Sequence, residues 1–184
     1  MEMFEKKIHS DEKFCGRIFR VTDDDVELAD GSRSKREIVW HGGGVCCAGF
    51  NDRDEIAFVR QYRYAYGAVL TELPAGKLEK GEDPFEAIKR EMSEETGAQC
   101  DEWQSLGVMY PTPGYCTEII HLYTCRISSV GEQHPDEDER LEVVYIPFDE
   151  AVRMVLDGEL PDAKTQVIIL RLAMQRSHGS LRSR

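Results

Sequence analysis

The distribution of apolar residues along the chain predicts many short β-strands and a few helices. Runs enriched in β-branched and aromatic residues, some of them alternating with polar residues, are typical of strands. Three aspartates, 23–25, and the pair Asp30-Gly31 mark turns between the first three of these runs. The predicted strands are 16–21, 26–28, 34–40, 45–50, 55–60, 102–109, 118–127 and 141–147.

The clearest helical segment begins at Asp83 and ends before Gly97. Asp83 is a good N-cap, Pro84 suits the first helical position, and glycine is the usual residue at the C′ position. Apolar residues recur at helical spacing and predict a buried face: Phe85, Ile88 and Met92. Two further helices are predicted near the end of the chain, at 149–157 and 162–175.

Three glutamates lie close together on one face of the first helix. At about 100° per residue, Glu91 and Glu95 are roughly 40° apart around the axis, and Glu94 is about 60° to the other side of Glu91. Such a patch is self-repulsive, and the helix dipole disfavours negative charge near a C-terminal end. A hard divalent cation such as Mg²⁺ removes the repulsion, because it takes oxygen ligands. The alternative is a solvated acidic face without a ligand.

Composition excludes several functions. The chain has 184 residues, with 23 basic and 35 acidic side chains and a net charge of −12. This charge argues against a general binder of nucleic acid or of anionic membranes, although a nucleotide substrate needs only a local basic patch and a metal. No run has the length of a transmembrane helix, and the N-terminus lacks the apolar core of a signal peptide. The six cysteines show no CxxC pair and no zinc spacing, so we expect reduced thiols in a cytoplasmic protein.

A longer motif surrounds the three glutamates. Gly76, Glu82 and the run from Arg90 to Ala98 match the Nudix box at every defined position. The chain thus resembles the Nudix hydrolases, which cleave a nucleoside diphosphate linked to another group. The resemblance implies an α/β fold of the Nudix type, an α/β/α sandwich with a mixed sheet, and a metal site on a loop-helix-loop.

The residues before this domain predict a small N-terminal antiparallel β region. Three short strands are marginally stable alone, so we expect them to pack on the main domain or on a second subunit. Arg36 and Trp40 in this region are candidate ligand contacts, and the alternative for Trp40 is a core or interface aromatic. The predicted division is an N-terminal region 1–40, a Nudix domain 41–176 and a disordered tail 177–184.

Two segments narrow the resemblance to the ADP-ribose pyrophosphatases. The segment VRQYRYA, residues 59–65, looks like the corresponding segment of that subgroup, and so does a proline sixteen residues beyond the glycine that ends the box helix, Pro113. The resemblance implies that Arg63 lies near the substrate and that Glu118 lies near its terminal ribose. It also implies that the backbone carbonyl of Ala75 binds a metal together with the box glutamates.

The resemblance also implies a role for the acidic loop 131–140. In the ADP-ribose pyrophosphatases a loop glutamate positions or deprotonates the attacking water, or holds a further metal. Glu137 and Glu139 are the two candidates, and we prefer Glu139 because it is nearer the following strand. With Glu94 and Glu95, these are the candidate catalytic residues.

The expected function is hydrolysis of ADP-ribose, or of a close nucleoside diphosphate sugar, to AMP and ribose 5-phosphate. The resemblance implies Mg²⁺ as the cofactor, with Mn²⁺ as an alternative, and a homodimer in which the N-terminal strands contact the partner. One alternative is another sugar nucleotide such as GDP-mannose, since the box is shared among such enzymes. The other is a non-catalytic module that senses a nucleotide or binds a partner, and the intact box argues against it.

Overall fold

The computed structural model describes residues 3–135 and 140–182, with side chains as far as residue 178. It divides into two compact units. The first comprises Met1–Gly43 with Tyr110–Ile119, and the second comprises Gly44–Met109 with Ile120–Arg184. The division into 1–40, 41–176 and 177–184 stays a prediction.

The first unit contains a three-stranded antiparallel sheet in the order β1-β2-β3. Its strands are β1 (Glu5–Cys15), β2 (Phe19–Leu28) and β3 (Arg33–His41). The predicted N-terminal antiparallel region is therefore confirmed, but β1 was not predicted. Every residue of β1 is exposed, so this strand lacks the apolar alternation that identifies a half-buried strand in a sequence.

The β2 strand runs without interruption through the three aspartates at which a turn was predicted. Neighbouring strands supply partners for these carboxylates. Lys35 Nζ on β3 lies 3.0 Å from Asp23 and 3.1 Å from Asp25, and Ser10 Oγ on β1 donates to Asp24. The two strands predicted on either side of the turn are therefore one strand, because cross-strand pairing outweighs the turn preference of aspartate.

The second unit is a mixed seven-stranded sheet with helices, as the α/β prediction requires. The central order is β10-β5-β4-β9-β8, with β6 paired to β5 and β7 paired to β4. The β4 and β9 strands run parallel, and the other pairs are antiparallel. The strands are β4 (Gly44–Phe50), β5 (Glu55–Arg63), β6 (Ala68–Glu72), β7 (Ala75–Lys77), β8 (Ala98–Met109), β9 (Ile120–Val130) and β10 (Leu141–Pro147).

Helices cover both faces of this sheet. They are α1 (Pro84–Thr96), α2 (Phe148–Leu156) and α3 (Ala163–Arg182). Adjacent residues of β4 belong to opposite cores: Cys46 packs with α2 and α3, and Cys47 packs with α1. All seven residues of β4 are buried, as expected of a strand covered on both faces.

The α1 helix has the predicted termini. The Asp83 carboxylate accepts hydrogen bonds from the backbone N–H groups of Phe85 and Glu86, and Gly97 ends the helix in the left-handed conformation at φ 69°. Ile88 is fully buried. Phe85 remains partly exposed and packs edge-on against an indole ring of β8. These caps set the two ends of the helix that carries Glu91, Glu94 and Glu95.

The α3 helix continues beyond its predicted end at residue 175, so residues 177–182 are helical along the backbone. The side chain of Arg176 holds this part of the helix to the rest of the second unit. Its guanidinium bonds both oxygens of Asp54 at 2.7 and 2.8 Å and lies 3.8 Å from the ring centre of Phe148. Among the described residues, no helix combines the length and apolar character needed to cross a membrane.

Candidate active site

One arginine on α1 joins the acidic residues of the box. Arg90 Nε donates to Glu82 Oε1 at 3.1 Å, and Nη2 donates to Glu82 Oε2 at 3.2 Å. Its Nη1 donates to Glu91 Oε1 at 2.8 Å and to Glu94 Oε2 at 2.9 Å. The hydrogen bond from Arg90 lowers the pKa of Glu82, and the same bond raises the pKa of Arg90. Arg90 thus braces the loop before the helix against the helix.

Glu95 is the most buried of the box carboxylates, at 2% exposure. Its Oε2 accepts a hydrogen bond from the backbone N–H of Ala75 at 2.9 Å. The segment after β9 closes over the same end of the helix, where Gln133 Nε2 donates to the carbonyl of Glu95 and His134 N donates to that of Glu94. The helix is therefore held to β7 on one side and to the acidic loop on the other.

The glycine of the box makes room for a carboxylate. A Cβ atom built on Gly76 would lie 1.8 Å from Glu91 Oε1. Real Cβ contacts do not occur at that distance, so the Glu91 carboxylate occupies the space that any other side chain at position 76 would need. Gly76 and Glu91 are thus one steric unit within the motif.

The arrangement suits a hard divalent cation. Glu91 Oε1 and Glu94 Oε2 both lie within 2.9 Å of Nη1 of Arg90. The two carboxylates thus share one positively charged group. Carboxylate and backbone carbonyl oxygens are the ligands that Mg²⁺ takes in proteins. Among residues 3–135 and 140–182, no group of three or more His, Cys, Asp or Glu side chains is placed to hold a metal ion. The reason is visible in the contacts, since Glu95 bonds the amide of Ala75 and Arg90 lies between the other two.

Arg63, the predicted substrate contact, is held by a buried carboxylate. Its Nε and Nη2 donate to Glu72 Oε1 and Oε2 at 2.7 and 2.8 Å. Lys164 Nζ contacts the same carboxylate. Burial raises the pKa of Glu72, but the hydrogen bond from Arg63 and the charge of Lys164 outweigh it and hold the pKa at about 2. Glu72 is therefore ionised at neutral pH.

This depressed pKa predicts a pH-dependent contribution to stability. A Glu72→Gln variant is expected to unfold more easily than the wild type by roughly 3 kcal/mol above pH 4.5, where the unfolded carboxyl group is ionised. The difference should shrink as the pH falls towards 2, because the wild-type carboxylate becomes protonated. Urea unfolding of the wild type and of Glu72→Gln, at pH values from neutral down to about 2, measures this difference in the free energy of unfolding. A difference that does not change with pH would contradict the assignment.

Three predicted substrate contacts belong to the first unit. Arg36 bonds Glu5 at 2.9 Å through its Nε atom. Trp40 is half-buried, and its Nε1 donates to Thr22 Oγ1 at 2.8 Å. The carboxylate of Glu118 lies 3.5 Å from His41 Nδ1. Their roles in substrate binding stay predictions.

An open cavity of about 320 Å³ lies beside one of these residues within the first unit. Arg20 lies over the Trp40 ring at 4.6 Å from its centre. The residues that line the cavity are Cys15, Gly16, Arg17, Ile18, Phe19, Arg20, Trp40, His41 and Thr117.

The remaining predicted residues divide into two groups. Glu137 and Glu139 lie outside the described residues. Ala75 and the box glutamates meet at the junction of β7 and α1. Sequence reasoning missed Glu72 and Lys164, because a glutamate in a strand and a lysine at the start of a helix resemble ordinary surface residues.

Comparison with known proteins agrees with this geometry. The model of the NUDIX domain matches residues 40–167. The chain is 37% identical to the ADP-ribose pyrophosphatase of Bacillus subtilis (strain 168), with 94% of this chain and 95% of the relative covered. It is 39% identical to the methanol dehydrogenase activator of Bacillus methanolicus, over the same shares of the two chains. It is 36% identical to the GDP-mannose pyrophosphatase of Yersinia enterocolitica, with 80% of each chain covered.

The resemblance to Nudix hydrolases, and to the ADP-ribose pyrophosphatases among them, is therefore confirmed. The matched region spans most of the chain and includes the loop, the helix and the acidic patch described above. The protein belongs to the Nudix family and is a hydrolase.

Proposed function

We propose that this protein hydrolyses the diphosphate bond of ADP-ribose in a Mg²⁺-dependent reaction and releases AMP and ribose 5-phosphate. The observation that carries the proposal is the convergence of Glu91 Oε1 and Glu94 Oε2 on Nη1 of Arg90, with the Glu91 carboxylate beside Gly76. The relatives named ADP-ribose pyrophosphatase, from Bacillus subtilis and Mycobacterium tuberculosis, support the substrate.

Glu91, Glu94, Glu95 and the carbonyl of Ala75 would hold the cation. When bound, Mg²⁺ (or Mn²⁺ in its place) supplies positive charge for the diphosphate and makes water more acidic. Nudix hydrolases generally use divalent cations, and this donor set consists of oxygen atoms alone.

The other residues act on substrate and water. Arg63 binds phosphate oxygens through charge-assisted hydrogen bonds. A loop glutamate, Glu137 or Glu139, orients or deprotonates the attacking water. In the first unit, Arg36, Trp40 and Glu118 are the proposed contacts to the nucleoside and the terminal ribose.

We place the reaction in the cytoplasm and in a homodimer. All six cysteines are free thiols, which suits a reducing compartment. The β1 strand is exposed along its full length in the single chain, which suits a contact between the N-terminal strands and a partner.

A second candidate substrate is GDP-mannose. Relatives named GDP-mannose pyrophosphatase, from Yersinia enterocolitica and Klebsiella pneumoniae, match 80% and 79% of the chain. Both substrates carry a diphosphate between a nucleoside and a sugar, so a cation held by the acidic site would neutralise the diphosphate of either one.

Product analysis tests the proposal. The purified protein is incubated with ADP-ribose and Mg²⁺, with an EDTA control, and the products are separated by chromatography. Metal-dependent formation of AMP is the expected result. If ADP-ribose gives no product but GDP-mannose is hydrolysed, GDP-mannose replaces ADP-ribose as the proposed substrate. Tight binding of ADP-ribose with no turnover of any nucleoside diphosphate sugar would overturn the hydrolase proposal in favour of a binding module.

A further inference from the structure

Four charged side chains form a cluster at the start of α3, close enough to the box that the charge of Glu95 helps to raise the pKa of Arg63. Lys164 Nζ lies 2.5 Å from Glu72 Oε2 and 2.9 Å from Asp162 Oδ1. The side chains of Glu72 and Lys164 are only 3% and 12% exposed. Arg63 completes the cluster on the other side of Glu72. With two acids and two bases, its formal charge is zero.

Such a cluster is an expensive way to stabilise a fold. Taking charges out of water costs free energy that their attraction often does not recover, and apolar residues of similar volume frequently serve as well. Leu73, next to Glu72, and Thr165, next to Lys164, are fully buried, so the cluster lies against the interior of the protein. Stability alone therefore does not account for the cluster.

Arg63 is the member of the cluster that reaches the surface, since its side chain is 38% exposed. It presents Nε and Nη2 to Glu72, so the Nη1 edge of the planar guanidinium lies away from that carboxylate. If the Glu72 carboxylate were paired with Arg63 alone, it would cancel the positive charge of that arginine. Here Lys164 bonds the same carboxylate and takes part of its negative charge.

The position of Lys164 is fixed by the start of the helix. Asp162 Oδ2 accepts from Thr165 N at 3.0 Å and from Thr165 Oγ1 at 2.6 Å. Thr165 Oγ1 in turn accepts from the backbone N–H of Leu73 at 2.9 Å, next to Glu72. The helix start and the end of β6 are thus bonded together, and this holds the ammonium group against Glu72.

We propose that Lys164 and Asp162 are positioning residues that set the net charge behind Arg63 and so tune its affinity for the anionic diphosphate. This inference rests on the proposed function, because it takes the diphosphate as the ligand of Arg63. Removing Lys164 leaves the cluster with a charge of −1, which repels the substrate. Removing the charge of Asp162 leaves +1, which attracts it.

The test measures binding without turnover. ADP-ribose is titrated into the protein by calorimetry in EDTA, and kcat and KM are measured separately with Mg²⁺. Lys164→Met is expected to raise the Kd about tenfold, since charges buried near a surface interact at an effective dielectric constant of about 20. KM should rise by a similar factor, while kcat changes less than about threefold.

The decisive variants carry a second change. Asp162→Asn keeps the capping oxygen, because asparagine is as good an N-cap as aspartate. Lys164→Met combined with Asp162→Asn returns the cluster to zero charge and is expected to restore the wild-type Kd. Asp162→Asn alone should lower the Kd below that of the wild type. Lys89→Met, which removes a surface lysine paired with Glu86, is the control and should leave the Kd unchanged.

A merely structural role predicts the opposite pattern. The double variant would then bind no better than Lys164→Met, and Asp162→Asn would bind no better than the wild type; either result would overturn the inference. If Lys164→Met does not fold, Asp162→Asn decides alone. If the wild-type protein neither binds nor hydrolyses ADP-ribose, the proposed substrate fails separately, and the same variants titrated with GDP-mannose decide the inference.

Discussion

Glu94→Gln is expected to lower kcat for ADP-ribose hydrolysis about 10³-fold, because the proposed Mg²⁺ would lose a charged ligand and a metal ion contributes several kcal/mol to such a reaction. The fold should survive, because the Glu94 side chain is 38% exposed and glutamine has nearly the same shape. The variant should also bind Mn²⁺ more weakly in the absence of substrate, as measured by electron paramagnetic resonance. The melting temperature of the variant checks that the loss is local.

A matched control lies on the same helix. Glu86 is exposed and pairs with Lys89, so Glu86→Gln removes the same charge without touching the acidic patch. Glu95→Gln should lose activity as Glu94→Gln does. It should also lose some stability, because the buried carboxylate of Glu95 accepts a hydrogen bond from the backbone N–H of Ala75 in the wild type. Normal turnover by both Glu94→Gln and Glu95→Gln would show that the metal-site assignment is wrong.

Gly76→Ala is expected to lower kcat at least about 100-fold with little loss of stability. The new Cβ would lie 1.8 Å from Glu91 Oε1, so the carboxylate must move. That oxygen is the end of a flexible side chain, and a strained rotamer costs about 1 kcal/mol, so the protein should still fold. A displacement of about 1 Å in a catalytic group is enough for a loss of this size. Activity and urea unfolding, measured on the same preparation, separate the two effects.

Gly114→Ala is the control, because a Cβ built there meets no atom within 4 Å. Its activity and stability should both match those of the wild type.

Gly44→Ala should behave differently from Gly76→Ala. A Cβ atom on residue 44 would meet the carbonyl oxygen of Gly76 at 2.7 Å, and a backbone atom cannot move aside as the end of a side chain can. That variant should lose stability. If Gly76→Ala kept full activity, Glu91 would have no role that depends on its place beside the glycine.

Elements whose signals are local could be predicted from the sequence alone. The β10 strand has the predicted bounds, Leu141–Pro147, because its apolar run ends at a proline. The α1 helix begins after Asp83 and ends at Gly97, since each cap is a contact between residues two to four apart. The Nudix box was readable for the same reason, because its fixed spacing lies within one loop and one helix.

Only the folded chain shows which distant residues lie opposite each other. The β1 strand is polar along its length, and only pairing with β2 makes it a strand. The residues of the Glu72–Lys164 pair are 92 positions apart, and no periodicity indicates that they meet.

The same limit applies within the box. Its spacing placed Gly76 and Glu91 in one motif, but only the folded loop showed that the carboxylate fills the space beside the glycine. Local sequence specifies a backbone conformation and the face that is buried, because those depend on near neighbours. Which residues meet across a buried face depends on how distant segments of the chain pack. That packing also sets the charge and the shape of the active site.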